Sequence, residues 1–142
     1  MKMKILLASL PLAALLCMSC EFETSDNGDL DGFWQLRQVD TLQGGSADMR
    51  GKGVYWAVQT DLLQARTSSV DVFFRFSHAS DSLFLSDPYF NDRMSSDIKV
   101  TDPAPLAPLG INRLEERYRV VSLDGGSMVL QSDVLRLYFR KY

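Results

Sequence analysis

Three residues of the types used in nucleophilic catalysis lie close together near the middle of the chain. Ser77 and His78 are adjacent, and Asp81 follows three residues later. A hydrolase with a serine nucleophile needs that hydroxyl, an imidazole base and a carboxylate that orients the base. These three groups usually converge from distant chain positions. Adjacent residues of a strand point to opposite faces, and the sequence contains no Gly-x-Ser-x-Gly turn. We therefore predict a strand end and a turn here, and no catalytic triad.

The carboxylates elsewhere do not have the spacing of an acid/base pair or of a calcium loop. Glu115 and Glu116 are adjacent, so their side chains are not expected to converge on one bond. Asp92, Asp97 and Asp102 recur every five residues, which is not the ligand spacing of a calcium-binding loop. The sequence thus offers no acid/base site and no calcium site.

The sequence also argues against phosphate sites and transition-metal sites. The pairs Gly44-Gly45 and Gly125-Gly126 are predicted to be turn glycines, because neither precedes a helical pattern whose N-terminus could bind a phosphate. The two cysteines, Cys17 and Cys20, lie in the first twenty residues, and His78 is the single histidine. A cysteine-based or multi-histidine site in the following domain is therefore excluded. We predict a protein that is not an enzyme, with no metal and no cofactor.

The elements that would position these residues are predicted to be β-strands. Val70, Val72, Phe74 and Phe76 occupy alternate positions and give one apolar strand face. Asp124-Gly125-Gly126 is a strong hairpin signal, because glycine accepts positive φ. About eight or nine such strands with no helical pattern between them predict an all-β barrel or sandwich. The predicted strands cover residues 34–39, 54–59, 62–66, 70–77, 82–86, 98–101, 118–123, 127–131 and 135–140.

Three connecting segments are predicted to lack regular structure. Residues 42–52 are rich in glycine, serine and aspartate, residues 87–96 are polar, and residues 102–110 contain three prolines. The large aromatic side chains are predicted to fill the core between the strands. They are Trp34, Trp56, Phe74, Phe76, Phe84 and Phe139.

The first nineteen residues are typical of a bacterial export signal. Two lysines precede an apolar run over residues 5–16, which is too short to span a bilayer. The run leads to Ser19-Cys20, which resembles a lipobox with Cys20 as the lipidated residue. A cut before Cys17, a plain soluble signal peptide and a membrane helix are the alternatives. We predict a lipoprotein signal over residues 1–19 and attachment to a membrane through Cys20.

The segment after the predicted cleavage site is acidic. Residues 20–29 contain glycine and serine and have little apolar surface to bury, so they are predicted to form a flexible tether. The segment is similar to the acidic export signal that some Gram-negative groups place after the lipidated cysteine. This resemblance implies an outer-membrane lipoprotein exposed at the cell surface, and the alternative is a solvated linker without a sorting role.

The overall charge argues against a nucleic-acid partner. The chain carries 15 basic and 18 acidic side chains, and removal of Lys2 and Lys4 with the signal takes its net charge from −3 to −5. Three arginines cluster within residues 113–119, but two glutamates lie among them. This cluster predicts a solvated surface of mixed charge rather than a site for nucleic acid.

The start of the predicted domain resembles the signature of the lipocalins. Gly32-Phe33-Trp34 matches the Gly-x-Trp pattern that heads the first strand in that family. The resemblance implies a single antiparallel up-and-down barrel of about eight strands over residues 30–142, of the lipocalin or calycin-like type. Further segments are similar to small lipocalin-like lipoproteins of gut-type Gram-negative bacteria, most of which are uncharacterised. They are Val54-Tyr55-Trp56, Leu109-Gly110-Ile111-Asn112, Met128-Val129-Leu130 and residues 135–142.

The same resemblance implies how one end of the barrel is closed. Gly32 and Trp34 would lie at that end, and an arginine of the last strand would pack over the indole. Arg136 and Arg140 are the candidates in this sequence. A cation over an indole face contributes an attraction of about 0.5–2 kcal/mol.

Two functions from different classes remain open. The first is a non-catalytic binding module for a small apolar molecule or a glycan, with Tyr55, Trp56, Ala57 and Tyr118 as possible ligand-facing residues. The second is a protein-interaction module, such as an envelope-complex subunit or an inhibitor of a secreted protease. Small barrels either fill their interior or hold one ligand, so a filled interior would argue against the first.

Overall fold

The computed structural model describes residues 27–92 and 98–142. The predicted signal segment, Cys20 and most of the predicted tether lie outside the described residues. Within these two ranges, ten strands follow one another, with two short 3₁₀ segments, Gly28–Leu30 and Ala104–Leu109. The strands are β1 Gly32–Thr41, β2 Ser46–Asp48, β3 Tyr55–Gln59, β4 Leu62–Arg66, β5 Asp71–Ala79, β6 Ser82–Phe90, β7 Ile98–Lys99, β8 Glu116–Leu123, β9 Ser127–Gln131 and β10 Leu135–Lys141.

Eight of these strands close into one antiparallel barrel. The order around the barrel is β1, β3, β4, β5, β6, β8, β9 and β10, and β10 pairs back with β1. The two short strands lie beside this ring, β2 against β1 and β7 against β6. The all-β, up-and-down barrel of about eight strands is therefore confirmed.

The alternation of each strand decides which side chains enter the barrel. In β5, Val72 and Phe74 are buried, whereas Phe73 and Arg75 point to the outer face. The same alternation places Trp34 and Leu36 of β1 inside. Phe84 of β6 corrects the predicted aromatic core, because it lies between the buried Leu83 and Leu85 and therefore faces outward. The buried aromatic and aliphatic side chains form one continuous core, and Phe76 packs against it partly buried.

Two predicted irregular segments contain more regular structure than expected. Strand β6 continues through Asp87 to Phe90 by means of a bulge, at which Asp87 takes a φ of 59°. Residues 104–109 form a 3₁₀ segment, although they contain two of the three prolines. Proline's fixed φ suits a short helical turn, and its missing N–H matters little where few intrasegment hydrogen bonds form. Gly110 ends the segment with a φ of 87°.

Candidate functional site

The up-and-down topology gives the barrel two distinct ends. β1 begins at the end where residues 27–31 lie, and the turns 60–61, 80–81 and 124–126 are at that same end. We call it the closed end. The connections 42–54, 67–70 and 132–134, together with residues 91–92 and 100–115, lie at the other end, which we call the mouth. A ligand that entered the barrel would have to pass one of these two ends.

The closed end is built around Trp34. The indole Nε1 of Trp34 donates a hydrogen bond to the Leu30 carbonyl oxygen at 2.9 Å, and both side chains are fully buried. Lys141 Nζ lies 4.8 Å from the centre of the Trp34 ring and donates to the Asp29 carbonyl oxygen at 3.1 Å. At Gly32, φ is +136° and a Cβ would lie only 2.9 Å from Lys141 Cε. Glycine is favoured at this place because L side chains rarely adopt this φ, and the lysine stem also crosses over it.

The cation on Trp34 corrects the prediction from the family resemblance. Arg136 and Arg140 both project from the outer face of β10, where Arg136 Nε donates to Gln131 Oε1 at 3.0 Å and Arg140 is exposed. Lys141 has the same parity as the buried Leu137 and Phe139. The alternation of β10 thus directs Lys141, rather than either arginine, toward Trp34. The same alternation can be read from the sequence.

The residues before β1 are part of the fold. The Asn27 backbone N–H and side-chain Nδ2 donate to the two carboxylate oxygens of Asp31 at 3.1 and 2.7 Å, and Nδ2 also donates to the Thr60 carbonyl oxygen at 2.8 Å. Residues 27–29, predicted as the end of a flexible tether, are therefore held against the closed end. Any tether is accordingly shorter than the predicted 20–29.

The mouth is occupied by the chain's own 3₁₀ segment. Leu106, Leu109 and Ile111 are fully buried. Trp56 Nε1 donates to the Leu109 carbonyl oxygen at 3.0 Å, and Tyr118 Oη donates to the Gly110 carbonyl oxygen at 2.7 Å. These two hydrogen bonds join the segment to side chains deep in the barrel, so the segment acts as a plug. We use the name "plug" for residues 104–111.

The interior below the plug is filled by aromatic side chains. The Trp56 ring lies 5.8 Å from the Tyr118 ring and 4.7 Å from the Phe139 ring, centre to centre. Trp34, Trp56 and Tyr118 are 0 % exposed and Phe139 is 3 % exposed. A space able to hold even one water molecule would leave exposed surface on the side chains around it. The barrel therefore has no open cavity at these residues.

This packing corrects the predicted ligand-facing set. Trp56 and Tyr118 do point inward, but they belong to the packed core. Tyr55 and Ala57 alternate with Trp56 in β3 and lie half-buried on the outer face. Burial, and to a lesser extent the nearby Glu116, raise the pKa of Tyr118 well above its usual value, so its hydroxyl remains a neutral donor to the plug.

The candidate triad is not assembled. Ser77 is exposed and pairs with the outward-facing Phe84, whereas His78 is half-buried and pairs with the inward-facing Leu83. The two side chains therefore point to opposite faces of β5, and Asp81 lies in the turn that follows. Within residues 27–92 and 98–142, no three His, Cys, Asp or Glu side chains come together as a metal site.

The outer face of β3 to β6 carries two adjoining grooves that are open to a ligand. One groove of about 170 Å³ is lined by Ala57 and Gln64, another of about 410 Å³ by Arg75 and Tyr89, and Leu62 and Phe73 line both. Sequence reasoning missed this face, although the outward parity of Phe73 was readable from β5. We call the two grooves together the outer groove.

Polar groups surround the apolar floor of the outer groove. Arg75 Nη1 lies 3.0 Å from the carboxylate oxygen Oδ2 of Asp61. Gln64 Nε2 donates to Asp71 Oδ1 at 2.7 Å. Asp87, held at the bulge of β6, lines the larger of the two grooves. The groove thus combines aromatic surface with a few charged and amide groups, as small-molecule sites do.

Comparisons with known proteins identify the relatives of this barrel. The model of a family described as a lipocalin-like domain matches residues 14–142. A lipocalin-like protein from Bacteroides uniformis ATCC 8492 has a similar structure, with a TM-score of 0.63 and 22% identity, covering 81% of this chain and 100% of that chain. An uncharacterized protein from Bacteroides eggerthii DSM 20697 has a TM-score of 0.56 and 18% identity, covering 79% and 98%. None of the curated proteins matches significantly.

No helix within the described part of the chain is long and apolar enough to cross a bilayer.

Proposed function

The chain belongs to the lipocalin-like domain family, and on this premise we propose that it is a membrane-tethered, non-catalytic binding module that takes its ligand on the outer face of the barrel. The filled interior is the observation that carries the proposal. Trp34, Trp56 and Tyr118 are fully buried, and the plug closes the mouth. A small apolar ligand inside the barrel would have to displace this core, whereas the outer groove is already open to solvent.

The chemistry of the outer groove favours a glycan. Tyr89 and Phe73 are cross-strand neighbours on the outer face and are half-buried. Aromatic rings supply an apolar surface for the apolar face of a sugar ring, and Arg75, Asp87 and Gln64 supply charged and amide groups for its hydroxyls.

The tether part of the proposal is supported by the sequence. Ser19-Cys20 follows a short apolar run, and the acyl chains added to such a cysteine hold a protein at a membrane surface. The acidic residues after Cys20 support an outer-membrane location with exposure at the cell surface. A binding module held there would retain its ligand near the cell.

Affinity electrophoresis tests the glycan site. The domain 27–142 would be run through native gels containing soluble polysaccharides of different composition, and retardation by one of them is expected. Tyr89→Ala and Arg75→Ala should remove the retardation, because each takes away one wall of the groove. Tyr138→Ala is the matched control, since Tyr138 is also half-buried and outward-facing but lies on β10. Equal loss in the control variant would contradict a site at the outer groove.

A protein partner is the second candidate for the same face. Leu62 is 39% exposed at the centre of the outer groove, and an apolar side chain within a polar rim also suits a protein interface. If no polysaccharide retards the domain, cross-linking from the position of Leu62 in cells should join the chain to one defined envelope protein. A secreted protease or another envelope subunit would then replace the glycan.

A further inference from the structure

Three aromatic rings form a cluster on the outside of the barrel. Phe33 and Tyr55 stack with ring centres 5.0 Å and planes 13° apart, and the Tyr142 ring meets each of them edge-on at 5.7 Å. The Tyr142 N–H donates to the Phe33 carbonyl oxygen at 2.8 Å. Tyr142 is nevertheless 80% exposed, so the cluster presents one tyrosine ring to the surroundings.

A polar groove lies directly beside Tyr142. It has a volume of about 500 Å³ and is lined by the hairpin 124–127 together with Arg140 and Lys141. Lys141 is engaged with Trp34. Arg140 is exposed, and the salt bridges of the described ranges do not include it. Arg140 is therefore the cation of this groove that is available to an outside group.

The negative charge in the same groove is used within the hairpin. Asp124 Oδ1 accepts hydrogen bonds from the backbone N–H groups of Gly126 and Ser127, both at 2.8 Å. These bonds hold the pKa of Asp124 below its usual value, the bond from Gly126 contributing most. Asp124 therefore remains ionised, but its lone pairs face the hairpin backbone.

Both features lie at the closed end, where the predicted tether joins the fold. Lys141 Nζ bonds to the Asp29 carbonyl oxygen at 3.1 Å, and Asn27 is held to Asp31 and Thr60. Cys20 precedes Asn27 by seven residues. Because a residue spans at most ~3.6 Å, the lipidated cysteine lies within about 25 Å of Asn27.

We propose that the closed end rests on the bilayer surface, with Tyr142 at the level of the lipid headgroups and Arg140 against their phosphates. The proposal depends on the attachment through Cys20 that forms part of the proposed function. Tyrosine is enriched at membrane–water interfaces because its ring is apolar and its hydroxyl polar. A guanidinium binds a phosphate through two parallel hydrogen bonds. A short tether keeps the closed end close to this surface, which favours lipid over a protein partner.

Fluorescence quenching by lipid tests the contact. The full chain would be expressed in a Gram-negative host, purified with its lipid and reconstituted in vesicles of phosphatidylethanolamine and phosphatidylglycerol that contain lipids brominated close to the headgroup. Tyr142→Trp reports on the closed end. Val134→Trp is the matched control, because Val134 is 47% exposed in a connection at the mouth. The buried Trp34 and Trp56 give a background that the unsubstituted protein measures.

The expected result is quenching several times stronger at position 142 than at position 134. Adding Arg140→Gln to Tyr142→Trp should reduce that quenching, because the headgroup contact is lost. Equal quenching at the two positions, or no quenching at either in protein that floats with the vesicles, would overturn the contact while leaving the tether intact. Protein that does not float with the vesicles would overturn the tether and the contact with it.

Discussion

The pairing of Trp34 with Lys141 closes one end of the barrel through a small number of side-chain contacts. The two residues are cross-strand partners of β1 and β10, so their side chains lie on the same face of the sheet. The lysine stem packs over Gly32, and its ammonium group lies against the indole and the Asp29 carbonyl oxygen. One side chain thus joins the last strand to both the first strand and the segment before it.

Replacing Lys141 should destabilise the barrel. Lys141→Ala removes the cation from the indole face and should lower the free energy of unfolding by about 1–2 kcal/mol. Lys141→Arg should keep most of this stabilisation, because a guanidinium also packs on an indole. Urea unfolding followed by tryptophan fluorescence measures the change. Arg140→Ala is the control, and because Arg140 is exposed its effect should stay within about 0.5 kcal/mol. A larger loss of unfolding free energy for Arg140→Ala than for Lys141→Ala would show that the arginine, and not the lysine, closes this end of the barrel.

At the scale of the elements, the plug explains why the barrel is not an open cup. Leu106 and Leu109 are three residues apart, and side chains at this spacing lie above one another in a 3₁₀ turn. Both leucines therefore enter the barrel together, whereas Ala104 and Ala107 stay exposed. Gly110 follows without a Cβ, which would lie 3.1 Å from the side chain of Leu137. The plug thus fits the space between the inner faces of β1 and β10.

Shortening one plug residue should open a cavity. Leu109→Ala should lower the free energy of unfolding by about 2–5 kcal/mol, as buried leucine truncations do, and the resulting apolar space should bind xenon. Urea unfolding and chemical-shift changes under xenon measure the two effects. Leu62→Ala is the matched control, because Leu62 is 39% exposed and its truncation leaves no internal space. Saturable binding of an apolar dye to the unsubstituted barrel, with Trp56 quenched, would show that the interior is open after all.

At the scale of the whole molecule, the filled barrel directs recognition outward. Closure of β1 on β10 and the buried aromatic core leave no route through the centre. Two surfaces that the described residues offer to partners are the outer groove and the exposed aromatic cluster at the closed end. The proposed tether would place these two surfaces in different settings, one against lipid and one toward a ligand.

Lipid attachment makes a separate prediction for the whole chain. Cells fed a clickable fatty acid should label the unsubstituted chain, and Cys20→Ala should abolish the label because no other acceptor remains after cleavage. Cys17→Ala is the matched control and should keep the label, since Cys17 leaves with the signal. In-gel fluorescence after the click reaction measures the result. Label retained by Cys20→Ala and lost by Cys17→Ala would move the cleavage site to the earlier cysteine.

Much of the barrel could be predicted from local pattern. Strand alternation such as that of Val72 and Phe74 depends on neighbours two residues apart, and the Asp124-Gly125-Gly126 turn depends on the φ freedom of glycine. The same parity rule applied to β10 would have selected Lys141 for the closed end. The absence of a catalytic triad at Ser77 and His78 also followed from it. Each of these properties depends on the residue pattern of a single strand or turn, so it can be predicted from the sequence.

The state of the interior was decided only by the tertiary structure. Whether Trp56 and Tyr118 face a ligand or a neighbour depends on what fills the space before them. Residues 104–111 fill it, and for Trp56 the hydrogen-bond partner Leu109 is 53 residues away in the sequence. The outer groove likewise exists only because Leu62, Phe73 and Tyr89 come together from three strands. A local pattern specifies the direction of a side chain, but the volume in front of it depends on the packing of segments that are far apart in sequence.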